Sequence, residues 1–435
     1  MHEVAIPVHA IKGRGAADQP AHRFSADARS AFDDGWDTLA QVHGAGAQAA
    51  VPTRVQAQAA GSAISRNQSP DIHFDYGLNP YRGCEHGCVY CYARPTHSYL
   101  NLSPGLDFET RIFAKTNLAQ QLSRELQARS YVPSQIVIGS VTDAYQPAER
   151  QWRVTRDAIE LLARCDHPLA IVTKGSGVER DIDLLAAMAR KNLAAVYLTI
   201  TTLDAALARA LEPRASAPYR RLRTIRALAD AGIPVGVSVA PQIPFVNEDM
   251  EKVLEASAEA GATMAFYTVL RLPWELNDIF QQWLDLHYPQ RAARVMARIR
   301  EMRGGRDYNA DFSTRMKGSG VWAQLLGQRF EKTCARLGLN RERRPLDVSQ
   351  FRASSLSDQG SLFCQRLRRL SARQCVGFQG FVVGLTVPHP AVQRQGQQAC
   401  EHEQGDRRSD APVRIHRQSV AGQRKDQRLW QVTNE

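Results

Sequence analysis

Three of the eight cysteines, Cys84, Cys88 and Cys91, fall within eight residues of one another in the string Cys84-Glu-His-Gly-Cys88-Val-Tyr-Cys91. Thiols spaced four and three apart let one loop wrap a cubane and ligate three of its irons, leaving the fourth without a protein ligand. Iron–sulfur clusters prefer Cys thiolates, and an open position on one iron is what a cluster needs to bind and reduce a small molecule rather than only relay electrons. Gly83 and Gly87 permit the tight backbone path that such a loop requires. A zinc knuckle with His86 or His97 as fourth ligand is the competing reading. Zinc motifs usually pair their ligands, and a second pair is missing here. The other five cysteines are scattered, too sparse in 435 residues for a disulfide scaffold.

The elements that must position this loop follow from hydrophobic period. Short β-branched runs predict strands near 74–78, 135–141, 169–173, 195–201, 234–240 and 264–270. Between them lie amphipathic stretches. Thr116 precedes Leu118, Leu122 and Leu126, spaced four apart, and further helices are expected over 153–164, 180–191, 219–230 (ended by Gly232) and 248–259 (ended by Gly261). Strand and helix alternating every 30 to 35 residues is the pattern of repeated βαβ units and a parallel sheet. Six such units make either an incomplete β/α barrel or a doubly wound sheet, and periodicity alone favours neither. After Leu272 the pattern turns helical, over 274–286, 290–303 and 321–337.

The flanks differ. Residues 1–65 are rich in Ala, Gly and Gln and read as a mostly irregular arm, apart from a short periodic piece at 36–42. The segment 364–435 is dominated by Gln and Arg without period, and disorder is expected there. It holds 12 Lys and Arg against 6 Asp and Glu, and so carries +6 of the formal net charge of +11. The remainder is only mildly basic, which weakens a nucleic-acid argument built on charge alone. No run approaches the roughly 18 to 20 apolar residues of a membrane span, and the N-terminus lacks a secretory apolar run, so a cytoplasmic protein with no membrane partner is expected. The domain order read from these shifts is an arm (1–65), a barrel (66–275), a helical extension (276–363) and a tail (364–435).

The cysteine string resembles the signature of the radical S-adenosylmethionine superfamily. Its surroundings resemble a bacterial branch of uncharacterised proteins related to spore photoproduct lyase. The matching text includes RNQSPDIHFDYGLNPYRGCEHGCVYCYARPTH (66–97), SPGLDFETRIFAK (103–115), TDAYQPAER (142–150), TKGSGVERDIDLL (173–185), TTLDAALARALEPRA (201–215) and LRLPWE (270–275). The resemblance spans about 66–352, with GSLF at 360–363 similar to the family's ending; the tail beyond does not resemble it. It implies an α/β fold, a partial (β/α)6 TIM-like barrel with a helical C-terminal extension. A [4Fe-4S] cluster on Cys84, Cys88 and Cys91 and S-adenosylmethionine would lie across the C-terminal ends of the strands. The implied activity is reductive cleavage of that cofactor to a 5′-deoxyadenosyl radical, with an external electron donor such as flavodoxin or ferredoxin. A nucleic-acid lesion or modified base is one implied substrate class; a peptide or small metabolite is another.

The resemblance also assigns cofactor contacts. Tyr90 would lie near the adenine and Ser140 beside the methionine moiety. Thr142 and Asp143 would grip the amino group, Lys174 would pair with the carboxylate, and Thr199 would contact ribose or carboxylate through its hydroxyl. Plain alternatives compete: packing under the loop for Tyr90, a turn cap for Asp143, a solvated charge for Lys174. Glu212-Pro213-Arg214 reads as a structural ion-pair corner. Cys165, which tempts a hydrogen-donor reading, sits at the helix end opposite the cluster, and Cys334 reads as a core residue. Arg294, Arg298, Arg300, Arg303, Arg306, Arg315 and Lys317 form a basic run, either phosphate-facing or merely solvated. Phe245 and Ala144 depart from the family pattern, where a smaller residue and a proline are usual. A non-catalytic zinc or iron–sulfur nucleic-acid-binding module is the alternative from a different class.

Overall fold

In the computed structural model, residues 9–25, 51–342 and 344–357 are described. Ten strands are found among them: β1 (Arg54–Gln58), β2 (Ile64–Arg66), β3 (Tyr76–Leu78), β4 (Tyr81–Arg82), β5 (Arg111–Lys115), β6 (Ile136–Ile138), β7 (Leu169–Thr173), β8 (Ala194–Thr199), β9 (Val235–Gln242) and β10 (Met264–Val269). The larger sheet has the order β10-β9-β8-β7-β6-β3-β2. Its six strands from β3 to β10 are mutually parallel and lie in chain order, while β2 pairs antiparallel to β3 at the edge. Parallel neighbours in sequence order, each joined by a crossover helix, are the topology of a barrel wall that stops after six units. The expected partial (β/α)6 architecture is the one found.

The central strands β6 to β9 are near-continuous apolar runs because both faces are covered, whereas β10 alternates half-buried and buried residues. Leu78, Ile136, Ile138, Leu169, Ile171, Val196, Leu198 and Val237 are fully excluded from solvent. The helices lay one stripe on this wall. In Val154–Arg164 the buried residues are Val154, Thr155, Ala158, Ile159, Leu161 and Leu162, the three-to-four spacing of an amphipathic helix. Gly232 and Gly261 follow the helices Pro218–Asp230 and Met250–Glu259 with φ of +76° and +106°, left-handed positions that glycine adopts without a Cβ clash. The helices Leu276–His287, Pro289–Glu301 and Gly320–Leu337 form the expected extension.

The described part of the arm is mostly irregular, as expected, but it also holds β1, and β2 begins at its end; β1 pairs in parallel with β5 in a separate small sheet of order β1-β5-β4. Alternation was hidden there because Arg54–Gln58 reads RVQAQ, with one large apolar residue, and the strand is stabilised by its partner. The basic run, read as either phosphate-facing or solvated, is largely engaged within the chain. Arg315 makes a bidentate pair with Asp71 (2.6 and 2.7 Å), Arg300 pairs with Asp307 (2.6 Å), and Arg298 pairs with Glu301. Buried Arg303 donates to the carbonyls of Thr314 (3.0 Å) and Arg315 (2.7 Å). The periodic piece at 36–42, the GSLF string and the tail 364–435 lie outside the described residues.

Candidate active site

The cysteine loop leaves β4 and runs over the C-terminal ends of the parallel strands. Cys84 and Cys88 are buried, Cys91 is partly exposed, and all three thiols are free. Gly83 and Gly87 take φ of +77° and +65°. A Cβ on Gly87 would stand 2.6 Å from Glu109 Oε2, so the two glycines are required by both conformation and space. The turn is closed by Cys91 N–H donating to Cys88 O (3.3 Å) and Arg94 N–H to Cys91 O (3.1 Å).

Side chains from distant segments hold this path. Gln146, fully buried, accepts from Glu85 N–H (2.9 Å) and donates to Gly83 O (3.2 Å). Arg94, also fully buried, donates to Cys88 O (2.9 Å) and Gly87 O (3.1 Å) and pairs with Glu109. The 211–214 corner braces the loop from below. Val89 N–H donates to Leu211 O (3.0 Å), Arg214 N–H donates to His86 O (3.2 Å), and the Arg214 guanidinium lies 3.2 Å from Glu85.

Burial pushes the Cys84 thiol well up, with Asp143, Cys88 and Cys91 adding to it, and pushes Cys88 up to about 12. Such thiols stay protonated until a cationic centre displaces the proton, which fits metal ligands and not free thiolate nucleophiles. Among the described residues, no group of three His, Cys, Asp or Glu gathers closely enough to hold a single metal ion. A cubane takes each thiol on a different iron and needs no such convergence. The loop histidines face elsewhere: His97 Nε2 lies 3.0 Å from Arg111 O, and His86 Nδ1 lies 3.3 Å from Asp143 Oδ2, at ion-pair distance but outside hydrogen-bond geometry.

The other expected residues gather around this loop. The Tyr90 hydroxyl donates to buried Glu212, which also accepts from Thr201 Oγ1 (2.5 Å) and pairs with buried Arg221. Arg221 donates in turn to Thr199 O (2.8 Å), tying Tyr90 to the end of β8. Burial opposes the Glu212 charge, but Arg221 and Lys174 hold its carboxyl below the usual range. Lys174 Nζ stands 5.7 Å from the Tyr90 ring centroid. Burial opposes its charge too, yet Cys88, Glu212 and Asp143 together raise its pKa.

Asp143 accepts from Thr173 Oγ1 (2.6 Å), Tyr145 N–H (2.8 Å) and Lys174 N–H (2.6 Å). Burial works to raise its pKa, and His86 with these donors holds it far below the carboxylate range. Thr142 Oγ1 donates to Tyr81 O (2.9 Å). Ser140 receives the Tyr92 hydroxyl on its carbonyl and lies near Asn79. Sequence reasoning passed over Arg94, Glu109, Gln146 and Arg221 and set Glu212 aside as structural. Arg94, Glu109 and Gln146 stand inside the matching strings 66–97, 103–115 and 142–150, which is the signal that could have found them, whereas Arg221 stands outside them.

Cation–aromatic pairs stand on the segments around this rim. Arg271 lies 4.2 Å from the Tyr92 ring, Arg23 lies 4.4 Å from Trp274 and 4.6 Å from Phe24, and Arg294 lies 3.9 Å from Phe245. Phe24, Tyr92, Tyr99 and Trp274 are each more than 40% exposed. Cys165, by contrast, is buried and donates to Leu161 O and Leu162 O, as expected of a packing residue.

A family model described as the Radical SAM superfamily matches residues 78–256. The chain is 37% identical over 234 residues to an uncharacterised protein of Mycobacterium tuberculosis, a match covering 53% of this chain and 68% of that protein. It is 27% identical over 215 residues to an uncharacterised protein of Methanocaldococcus jannaschii, covering 49% of this chain and 77% of that one. Among solved structures, a cysteine-to-serine mutant of spore photoproduct lyase superposes with a TM-score of 0.43 at 18% identity, over 65% of this chain and 78% of that chain. A variant of the same lyase with bound AdoMet and dinucleoside spore photoproduct gives 0.43 at 17%, over 65% and 77%.

Proposed function

Because the chain belongs to the Radical SAM superfamily, we propose that it is a radical enzyme whose Cys84, Cys88 and Cys91 hold three irons of a [4Fe-4S] cluster and whose strand ends hold S-adenosylmethionine. The family implies both groups. When bound, they supply reductive cleavage of the sulfonium and a 5′-deoxyadenosyl radical that takes hydrogen from a substrate. The observation that carries the reading is the convergence of three free, buried or half-buried thiols with Tyr90, Lys174 and Thr199 at one end of the sheet.

The chain's own residues orient and exclude. Lys174, kept cationic by Glu212 and Asp143, offers a partner for the cofactor carboxylate. Tyr90, fixed by Glu212 and Thr201, presents a ring beside the loop for the adenine. Ser140, Thr142 and Thr199 bring hydroxyls to the ends of β6 and β8. Asp143, with its oxygens already shared among Thr173, Tyr145 and Lys174, takes the turn-holding role and sets the backbone of Lys174. The electron comes from an external carrier such as flavodoxin or ferredoxin.

For the substrate we favour a single-stranded or extruded nucleic-acid base. The exposed Tyr92, with Arg271 over its ring, offers a stacking face beside a cation, the combination that binds bases and phosphates without sequence readout, whereas Arg23, over Phe24 and Trp274, is paired with Glu275 (2.9 Å). Arg271 and Arg294 form no ion pair with a carboxylate among the described residues, which leaves their charge for a phosphate. The test is to supply reduced, cluster-loaded protein with S-adenosylmethionine and either oligonucleotides or peptides. Oligonucleotides are expected to stimulate 5′-deoxyadenosine formation, with deuterium moving from labelled base or sugar into that product and with binding that weakens as salt rises. Stimulation by peptides alone, or binding indifferent to salt, would remove the nucleic-acid assignment.

A further inference from the structure

Residues 14–16, far from the cysteines in sequence, run along the back of their loop. A Cβ built on Gly15 would stand 1.8 Å from Gly87 O and 3.2 Å from Arg94 Nη2, so no larger residue fits without moving one backbone or the other. The N–H groups of Gly15 and Ala16 donate to the two oxygens of Glu109, at 3.0 and 2.9 Å. Glu109 is fully buried and pairs with Arg94 at 2.5 Å. Arg94 places its other donors on Gly87 O, Cys88 O, Pro104 O and Gly105 O.

One carboxylate thus joins three segments: 14–16, the cysteine loop and the helix Leu106–Thr110. Arg14 fastens the far side, donating to Glu109 O (3.1 Å) and Thr53 Oγ1 (3.0 Å). The contact continues beyond the strap, with Leu106 N–H donating to Asp18 O (3.1 Å) and Ser103 Oγ to Pro20 O (2.9 Å).

We propose that Arg14–Ala16 is a positioning strap for the cofactor loop, acting through Glu109 and Arg94 to fix the Gly87 and Cys88 carbonyls and hence the three thiols. The proposal rests on the reading of this loop as a cluster site. Its physical basis is that the loop between Gly83 and Arg94 has neither helix nor strand to define it. Alongside Gln146 and the 211–214 corner, its shape depends on the buried Arg94–Glu109 ion pair, and removing one partner of such a pair leaves the other charge uncompensated. Cluster potential responds to nearby charge and hydrogen bonding, so the strap has a spectroscopic and redox signature as well as a mechanical one.

The experiment uses the full chain carrying Gly15→Ala, Glu109→Gln or, as a control at an exposed position, Lys12→Ala. Wild-type protein is first loaded anaerobically with iron and sulfide; failure at that step refutes the cluster reading itself and is told apart from failure of the strap. In loaded protein, Gly15→Ala is expected to lose iron to a chelator about tenfold faster than wild type. Glu109→Gln is expected to raise the cluster's midpoint potential, because Arg94 keeps its positive charge without a counterion, and Lys12→Ala to match wild type. In protein without iron, alkylation of Cys84, Cys88 and Cys91 should accelerate in Gly15→Ala while the buried Cys165 and Cys334 keep their wild-type rates. Equal acceleration at Cys165 and Cys334 would reduce the effect to general unfolding and overturn the proposal. So would wild-type iron release together with a wild-type potential in the two strap variants.

Discussion

Glu212 is the residue on which the cofactor side of the rim turns. It takes the Tyr90 hydroxyl, the Thr201 hydroxyl and the Arg221 guanidinium in a site without solvent. Replacing it with Gln keeps the volume and leaves Arg221 buried without a counterion, which costs about 3 to 5 kcal/mol for a buried pair. Urea unfolding of Glu212→Gln should show a loss of that order, and an unchanged midpoint would mean that Arg221 does not depend on the pair. A second residue titrates in a useful range. His167 is fully buried between Tyr131 and Phe351, its Nε2 2.6 Å from the Tyr131 hydroxyl, and burial lowers its pKa to about 4. The unfolded chain, with a His pKa near 6.5, therefore binds the proton first as pH falls. The contribution of His167 is complete above about 6.5, declines as pH falls towards 4, and at pH 5 is lower by about 2 kcal/mol, with buried His97, also lowered to about 4, adding to the loss over the same window. Unfolding at pH 7 and pH 5 should show this loss, and His167→Gln should show a smaller one. At this scale the sequence was legible where one residue type has one job: the three cysteines, and the two glycines that the turn demands. Arg94, Glu109 and Arg221 were not legible, because their value lies in partners brought near only by the fold.

Among the elements, β6, β7, β8 and β9 were readable because they are buried on both faces and carry Val, Ile or Thr, and β10, half-buried on one face, because it carries Phe, Tyr, Thr and Val. The small sheet was not. Its β4 is two residues long and β1 has a single large apolar side chain, so pairing, and not composition, makes them strands. The short helix Ala205–Leu211 matters beyond its size, since its end supplies Leu211 O to Val89 and leads into Glu212. Asp204 caps it, accepting from Ala206 and Leu207 N–H at 2.8 and 3.1 Å. Asp204→Ala should cost about 1 kcal/mol of stability, and it should also speed iron release from loaded protein, because the corner that braces the cysteine loop frays. A stability loss with iron retention unchanged would separate that helix from the site.

Over the whole molecule, formal charge is a poor guide to function. Of the net +11, +6 belongs to residues 364–435, and the basic run on the extension is mostly spent on Asp71, Asp307, Glu301 and backbone carbonyls. Arg271, stacked on Tyr92 near the cluster loop, has no carboxylate partner among the described residues. Replacing Arg271 with Ala should therefore weaken oligonucleotide binding and lower the salt slope by about one, while Arg300→Ala should leave both unchanged; a titration over a range of salt concentrations reads the two together. No helix among the described residues is long and apolar enough to cross a membrane.

Cys84, Cys88 and Cys91 are proposed to hold a cluster with one iron left open for the cofactor. Electron paramagnetic resonance of anaerobically loaded, reduced protein, with and without S-adenosylmethionine, tests it most directly. The expected result is a signal of a reduced [4Fe-4S] cluster that changes when the cofactor is added and that is missing in Cys88→Ala. A colourless protein holding stoichiometric zinc, or a cluster signal indifferent to the cofactor, would contradict it.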